Sequence, residues 1–325
     1  MKYIDLHCDT LSQALIRQKN DIYELPETMI DIKRLTEGGV LAQFFAIFMP
    51  PVGAEKMLGR PLPGDDEYIQ LLCEILDNSI RTHSEVIAKA GNAKDMEENR
   101  KVGKISAFLT LEDGRSLDGS IAKLEYYARL GIRLISLTWN APNCIGFPNS
   151  RDSRLMENGL TPFGKEAVER MEELGLIVDV SHLSDGGFQD VAEVCKGPFV
   201  ASHSNCRELC PHPRNLTDDM IRTLAEHGGV AGLNFGPEFL NGDTAKGESR
   251  LEEMTAHIRH MIVWGGEDCV AIGTDFDGIK GAFEIKSPKE MPILFQHLEK
   301  AGFTKSQIEK LAFRNAERVI REIMK

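Results

Sequence analysis

Hydrophobic residues along the chain fall into eight short apolar runs, and segments of helical period lie between them. The runs cover residues 3–8, 40–49, 105–111, 134–138, 176–181, 198–202, 229–235 and 269–274. Most are nearly continuous in Val, Ile, Leu, Phe and Ala, which is typical of parallel strands buried on both faces. Eight such strands alternating with helices predict an α/β fold, a closed (β/α)8 barrel of the TIM type. A doubly wound open sheet is the main alternative.

The segments between the runs carry signals for helix starts. Thr161 precedes Pro162, Thr217 precedes a helical pattern, and Thr304 with Gln307 forms a capping-box pattern. Since no Pro/Ser-rich linker or repeat divides the sequence, we predict a single barrel domain over residues 1–325. Two connections, about residues 50–104 and 139–161, are long, and long loops on a barrel tend to face the substrate.

Composition and charge narrow the class of protein. The chain has 50 acidic and 38 basic residues, a net charge of −12, which argues against nucleic acid binding through phosphates. No stretch approaches the roughly 18 consecutive apolar residues of a membrane span, and the first residues do not form a secretory signal. Seven cysteines, an odd number, indicate free thiols in a reducing compartment. We therefore expect a cytoplasmic protein that binds neither nucleic acid nor membranes.

Polar residues stand at the ends of five predicted strands, where a barrel enzyme carries its chemistry. The first strand ends in Asp5, His7 and Asp9, which alternate and therefore point to the same side. The third, fifth, sixth and eighth strands end in Glu112, His182, His203 and Asp275. One His-X-Asp triplet would carry no inference, because a lone buried His is more often a core residue. Five separate strand ends are harder to explain by packing.

Imidazole and carboxylate groups in this number indicate a metal centre. Both suit zinc and its first-row neighbours, so the set predicts two divalent ions at one mouth of the barrel. A carboxylate such as Glu112 can give one oxygen to each ion. Water between the ions would be nucleophilic near neutral pH, because bound metals lower its pKa. The sequence thus favours a metal-dependent hydrolase.

Seven motifs in one order resemble the membrane (renal) dipeptidase family, zinc peptidases of the amidohydrolase superfamily. They lie at residues 4–10, 111–114, 159–164, 178–184, 201–205, 213–215 and 273–278, so the resemblance covers nearly the whole chain. It implies that His7 and Asp9 hold one Zn²⁺, that His182 and His203 hold the other, and that Glu112 bridges them. Other divalent first-row metals remain open.

The resemblance also implies roles beyond metal binding. Asp275 matches the catalytic acid/base of the family, and Glu112 is expected to be catalytic as well. Arg214 matches the residue that clamps the terminal carboxylate of the dipeptide, a planar anion that suits a guanidinium fork. Its neighbour Asn215 is expected to contact substrate as well. Barrels of this family are often dimers, so by analogy we expect a homodimer.

One position departs from the family pattern. Mammalian members carry a His after the fourth strand, thought to polarise the scissile carbonyl, whereas this chain has Trp139. We expect Asn140 or Asn143 to donate a hydrogen bond instead, or the metal to act alone. Trp139 is expected either to contact the substrate or, equally, to be plain packing at the pocket wall. The departure bears on substrate preference more than on reaction class.

The sequence therefore predicts a zinc-dependent dipeptidase, with D-residues at the C-terminal position of the substrate left open. The alternative within the superfamily is an amidohydrolase acting on N-acyl amino acids or another small amide or lactone. A barrel that only binds ligands is the third reading, but it predicts lost metal ligands, and all five are present. Elsewhere, we expect His257 and His260 to lie on a solvated helix face.

Overall fold

Eight parallel strands close into a barrel in a computed structural model that describes residues 1–51, 54, 63–242 and 247–325. The strands of the described chain are β1 (Tyr3–Cys8), β2 (Val40–Phe48), β3 (Ile87–Lys89), β4 (Ile105–Glu112), β5 (Ile132–Ser136), β6 (Ile177–Asp179), β7 (Val200–Ala201), β8 (Val230–Leu233), β9 (Glu248–Ser249), β10 (Val270–Ile272) and β11 (Ala282–Phe283). Around the barrel the order is β1, β2, β4, β5, β6, β7, β8, β10 and back to β1. The predicted TIM-type barrel is therefore confirmed.

Helices connect the strands and cover the outside of the barrel. They are α1 (Thr10–Ile16), α2 (Ile32–Gly38), α3 (Asp65–Thr82), α4 (Ala93–Lys101), α5 (Ile121–Leu130), α6 (Ser153–Met156), α7 (Pro162–Glu173), α8 (Asp185–Val194), α9 (Asp218–Glu226), α10 (Pro237–Leu240), α11 (Leu251–Gly265), α12 (Met291–Lys300), α13 (Lys305–Glu309) and α14 (Asn315–Ile323). No helix in these described ranges has both the length and the apolar composition needed to cross a bilayer.

Each predicted apolar run overlaps one barrel strand, but the pattern missed some details. The strand expected to start at residue 134 begins at Ile132, directly after Gly131 ends α5 with φ +106°. The short β3 was not predicted; it pairs with the first half of β4, and β5 pairs with the second half. Three residues are too few to form a recognisable periodic pattern.

The predicted helix caps are present. The Thr161 hydroxyl accepts a hydrogen bond from the Gly164 amide at 2.9 Å, and Thr217 does the same for Met220 at 3.2 Å. At the start of α13 both hydrogen bonds of the Thr304 capping box are formed. These caps satisfy amide groups that the first turn of a helix leaves without partners, so they fix where each helix begins.

The barrel interior is apolar at the end where the strands begin. Phe44 and Phe108 stack there with ring centroids 4.7 Å apart, and α14 packs Val319 and Ile320 into the same cluster. Above this layer the interior becomes narrow: a Cβ added at Gly232 would overlap the Ser202 carbonyl. The apolar end therefore supplies packing, and the polar residues collect at the opposite, carboxyl end of the strands.

The prediction for His257 was wrong. Its side chain on α11 is buried, where Nδ1 accepts from the Cys206 amide at 3.1 Å and Nε2 donates to the Leu240 carbonyl at 2.9 Å. His260 is partly exposed and pairs with Asp218 at 2.6 Å. Within the first long predicted connection, residues 52, 53 and 55–62 lie outside the described residues.

Candidate active site

The five predicted metal ligands converge at the carboxyl end of the barrel. His7 lies on β1 and Asp9 directly follows it, while Glu112 ends β4. His182 and His203 lie three and two residues beyond the ends of β6 and β7. The Nε2 atoms of His182 and His203 are 3.2 Å apart, and the rings of His7 and His203 stack with centroids 3.8 Å apart. The parallel barrel brings together residues that are up to 196 positions apart in sequence, from 7 to 203.

Glu112 stands between two groups of ligand atoms. Its Oε2 lies 3.6 Å from His7 Nε2. Its Oε1 lies 3.0 Å from His182 Nε2 and 3.5 Å from His203 Nε2. On the His7 side, Asp9 Oδ2 is 3.6 Å and Asp275 Oδ1 is 3.8 Å from His7 Nε2. The two carboxylate oxygens therefore face different sets of nitrogen and oxygen ligands.

These residues fit a metal centre. Both ring nitrogens of His7 and Oδ1 of Asp9 are buried without a hydrogen-bond partner in the described part of the chain, an arrangement that is costly unless a ligand completes it. Burial lowers the pKa of His7, but the carboxylates of Glu112, Asp9 and Asp275 outweigh burial and raise that pKa to about 10. The pocket therefore favours a positive charge at this point.

The other two histidines are held in the neutral form. Burial, reinforced by the charge of Arg214, lowers the pKa of His182 and of His203 well below the ordinary value. His203 Nδ1 contacts the Ser202 hydroxyl at 2.7 Å, and His182 Nδ1 contacts Asn140 Oδ1 at 3.3 Å. In both rings Nδ1 has a partner in the protein and Nε2 faces Glu112, the usual arrangement around a metal-binding His.

Two site residues have left-handed backbone conformations. His182 has φ +70° and Asp275 has φ +60°, a region that residues other than glycine adopt at an energetic cost. Asp275 Oδ2 accepts from the side-chain nitrogen Nδ2 of Asn234 at 2.8 Å, and Asp275 Oδ1 is the oxygen that faces His7. Burial is the main cause that raises the pKa of Asp275, to about 7. A carboxyl group with that pKa can both take up and release a proton near neutral pH.

The backbone of Gly278 lies close to the carboxylates of Asp9 and Asp275. A Cβ at this position would overlap Asp9 Oδ2 and Asp275 Oδ1, so the absence of a side chain makes room for both carboxylates. Asp277, two residues after Asp275, accepts from the Met29 amide at 2.6 Å and the Thr10 hydroxyl at 2.7 Å. These hydrogen bonds hold the segments of Met29 and Thr10 against Asp277, which does not belong to the cluster of predicted metal ligands.

Arg214 is a buried cation with one free edge. Its Nη1 donates to the Ser204 hydroxyl at 2.5 Å, and its guanidinium carbon lies 5.9 Å from the centroid of the Phe239 ring. Nε and Nη2, which share the other edge of the planar group, are buried and have no partner among the described residues. Two parallel N–H donors on one edge match the two oxygens of a carboxylate.

Asn215 does not present a free polar atom to the site. Its amide nitrogen donates to the carbonyls of Cys210 at 3.0 Å and Phe239 at 2.9 Å, and its Oδ1 accepts from the Asn205 amide at 3.3 Å. The expected substrate contact of Asn215 stays a prediction, and the contacts that the structure shows support the loop that carries Arg214. A loop residue adjoining a binding residue points in a direction that sequence order does not specify.

The residues after β5 lie beside His182. The ring of the half-buried Trp139 packs edge-to-face on Phe48 at 4.8 Å and lies 6.2 Å from the His182 ring. Asn140 is exposed and contacts His182, as described above. Asn143, by contrast, donates to Asp113 at 2.7 Å and to the Leu137 carbonyl at 2.9 Å, so its amide nitrogen is engaged in its own loop.

Sequence reasoning missed three supporting residues: Ser202, Asp179 and Asn234. Asp179 is fully buried, and two amides and two serine hydroxyls donate to it. A signal was present, because each of these polar residues interrupts or ends a run that is otherwise apolar. Their partners lie on neighbouring strands, and that pairing becomes visible only in the fold.

A parallel barrel with histidines and carboxylates converging at the carboxyl ends of its strands defines a metal-dependent hydrolase. The chain belongs to the membrane dipeptidase family, peptidase family M19, whose sequence profile matches residues 1–325. It is accordingly a metallopeptidase, and the predicted family and enzyme class are confirmed.

Comparison with individual proteins agrees with this assignment. A protein of the pqqA 5′ region of Klebsiella pneumoniae is 35% identical over 239 residues, 71% of this chain and 87% of that protein. The dipeptidase tcpJ of Claviceps purpurea is 27% identical over 298 residues, 90% of this chain and 69% of that protein. A metallopeptidase of Rhodobacter sphaeroides, solved with a phosphinate mimic of the dipeptide L-Ala-D-Ala, superposes with a TM-score of 0.88 at 26% identity and 99% coverage of both chains.

Proposed function

We propose that the protein hydrolyses dipeptides with two zinc ions at the carboxyl end of its barrel. His7 and Asp9 would hold one ion, His182 and His203 the second, and Glu112 would give one oxygen to each. The observation that carries this proposal is the position of Glu112, whose Oε2 faces His7 at 3.6 Å while Oε1 faces His182 at 3.0 Å.

The metals and the protein would divide the chemistry. When bound, zinc ions activate water and polarise the scissile carbonyl. Asp275 takes the proton released by the attacking water and passes it to the departing amine, a role supported by its pKa of about 7. Asn234 holds one Asp275 oxygen, so the other oxygen is directed to the reacting atoms.

Arg214 would select substrates by their terminal carboxylate. Its free Nε and Nη2 edge supports bidentate binding of that anion, which limits the substrate to compounds with a free carboxylate one residue beyond the scissile bond. Trp139 would give the same pocket an apolar wall, and Asn140 would orient His182. The L-Ala-D-Ala mimic bound by the Rhodobacter sphaeroides relative supports a proposal that D-residues are accepted at the C-terminal position.

Reconstitution with metal tests the proposal. Protein stripped with a chelator should be inactive, and hydrolysis of L-Ala-L-Ala or L-Ala-D-Ala should return as zinc is added, reaching its maximum at two equivalents. Saturation at one equivalent would contradict the two-ion centre. Activity that survives complete metal removal would contradict metal dependence altogether.

A substrate panel tests the specificity. It should contain L-L and L-D dipeptides, their C-terminal amides, and N-acetyl amino acids, which keep the carboxylate but lack the N-terminal amine. We expect the dipeptides to be the best substrates. Faster turnover of N-acetyl amino acids would favour an N-acyl amino acid hydrolase, which the Arg214 edge would accommodate equally well.

A further inference from the structure

We propose that Ser202 and Asp179 position His203 for metal binding by fixing which nitrogen of its ring carries the proton. The inference rests on the proposed metal centre and extends it to residues that do not touch the metal or the substrate. It concerns a continuous chain of buried atoms, from Asp179 Oδ2 to Ser202 Oγ at 2.6 Å and from Ser202 Oγ to His203 Nδ1 at 2.7 Å.

Asp179 is the fixed end of this chain. Its Oδ1 accepts from the backbone amides of Ser181 and Ser202, each at 2.9 Å, and its Oδ2 accepts from the hydroxyls of Ser136 at 2.5 Å and Ser202 at 2.6 Å. The carboxylate is fully buried and ties β5, β6 and the end of β7 together. Two of these four donors are backbone amides, which can only donate, so they hold the carboxylate in place.

The direction of the hydrogen bonds follows from counting protons. Ser202 has one hydroxyl hydrogen, and it must point at Asp179, because otherwise two sets of lone pairs would face each other at 2.6 Å in a dry interior. The Ser202 oxygen is then an acceptor for His203. The 2.7 Å contact is therefore an N–H···O hydrogen bond, and the hydrogen of the neutral ring sits on Nδ1.

The consequence appears at the opposite nitrogen. With Nδ1 protonated, His203 Nε2 carries a lone pair, and this atom lies 3.5 Å from Glu112 Oε1 in the ligand cluster. The other tautomer would place an N–H there and could not bind a metal. The Asp179–Ser202 pair thus selects the binding-competent ring before any metal arrives, which lowers the cost of binding.

The chain offers a matched control in Ser136. Ser136 and Ser202 are both buried, and both hydroxyls donate to the same Asp179 oxygen. Only Ser202 also contacts His203. Replacing either Ser by Ala removes one hydrogen bond from Asp179, and only Ser202→Ala frees the tautomer.

Zinc titration of the chelator-stripped variants tests the inference. We expect Ser202→Ala to lose about 10- to 100-fold in affinity at one of its two zinc equivalents, in line with the removal of supporting partners at other metal sites. Ser136→Ala should stay within about threefold of wild type. Equal losses in both variants, or no loss in Ser202→Ala, would overturn the positioning role.

A second measurement is made on the wild-type protein, so a folding defect in Ser202→Ala does not affect it. Ring ¹⁵N shifts of zinc-free protein report the tautomer, with the His203 signals identified from their absence in His203→Gln. We expect the hydrogen on Nδ1, and a ring protonated on Nε2 alone would overturn the inference. Wild-type protein that binds no zinc would refute the proposed function, and the tautomer measurement would still decide this inference.

Discussion

Replacing Arg214 by Met should reduce hydrolysis of dipeptides with a free carboxylate far more than hydrolysis of their C-terminal amides. Arg214 is 5% exposed, and among the described residues its side chain makes one hydrogen bond, from Nη1 to Ser204. Its Nε and Nη2 have no partner in the same part of the chain and would be free to bind an anion. Methionine keeps much of the apolar stem and removes the fork, so the variant isolates the carboxylate contact.

The size of the loss can be worked from these contacts. Removing one partner of a buried, hydrogen-bonded charge pair costs about 2–5 kcal/mol. At about 1.4 kcal/mol per factor of ten, this corresponds to roughly a 30-fold to several thousandfold drop in kcat/KM. Lysine keeps the charge but offers no two parallel donors, so Arg214→Lys should fall between wild type and Arg214→Met.

The assay compares kcat/KM for L-Ala-L-Ala with that for its amide, and zinc content is measured in each preparation. Arg207 provides the control, because this Arg of the same loop already binds Asp185 at 2.7 and 2.8 Å and the backbone carbonyls of Asn215 and Pro213. Arg207→Met should affect both substrates equally. Equal losses on acid and amide in Arg214→Met would refute the carboxylate clamp.

Three further substitutions test other parts of the site and fold. Asp275→Asn should keep its zinc and lose about 10²- to 10⁴-fold in kcat, since the acid/base is gone; unchanged turnover would reject that role. Gly278→Ala should weaken zinc binding at least tenfold, because its Cβ overlaps Asp9, whereas Gly64→Ala, whose Cβ meets no atom of the described residues within 4 Å, should not. Burial lowers the pKa of His257 to about 4. An unfolded His titrates near 6.5, so the unfolded chain binds the proton first as pH falls, and stability declines between about pH 6.5 and 4, by roughly 2 kcal/mol at pH 5. Urea unfolding of His257→Gln should lack this component, and parallel pH profiles for variant and wild type would contradict it.

The barrel and the convergence of polar residues at its strand ends were predictable because both leave local traces in the sequence. A buried parallel strand needs a continuous apolar run, and a polar residue at its end stands out against that run. His7, Glu112, His182 and His203 each follow this rule, and the barrel topology then requires their strand ends to meet. The fold and the location of the candidate site were therefore predictable from the same residues.

The supporting residues were not predictable, because their partners come from distant strands. Asp5 alternates with His7 along β1, yet it accepts from the Thr274 amide at 2.9 Å and the Thr274 hydroxyl at 2.7 Å, which fixes the residue before Asp275. His257 has the sequence context of a surface residue and becomes buried because the loop with Cys206 folds over its helix. In both cases a residue distant in sequence determines the contacts of the side chain, so the periodic pattern of its own segment could not predict them.

The two ends of the barrel make opposite contributions to stability. The apolar end packs Phe44 and Phe108 against α14, whereas the other end buries ring, carboxylate and guanidinium atoms of His7, Asp9 and Arg214 that have no partner in the described chain. Each buried polar atom left unpaired costs about 1–3 kcal/mol, so this end is unfavourable for folding on its own. Ligands that bind only the folded chain offset such a cost by mass action. The buried atoms that make this end unfavourable for folding are therefore those that a metal ion and a carboxylate would satisfy. Their missing hydrogen-bond partners indicate which ligands the site would bind.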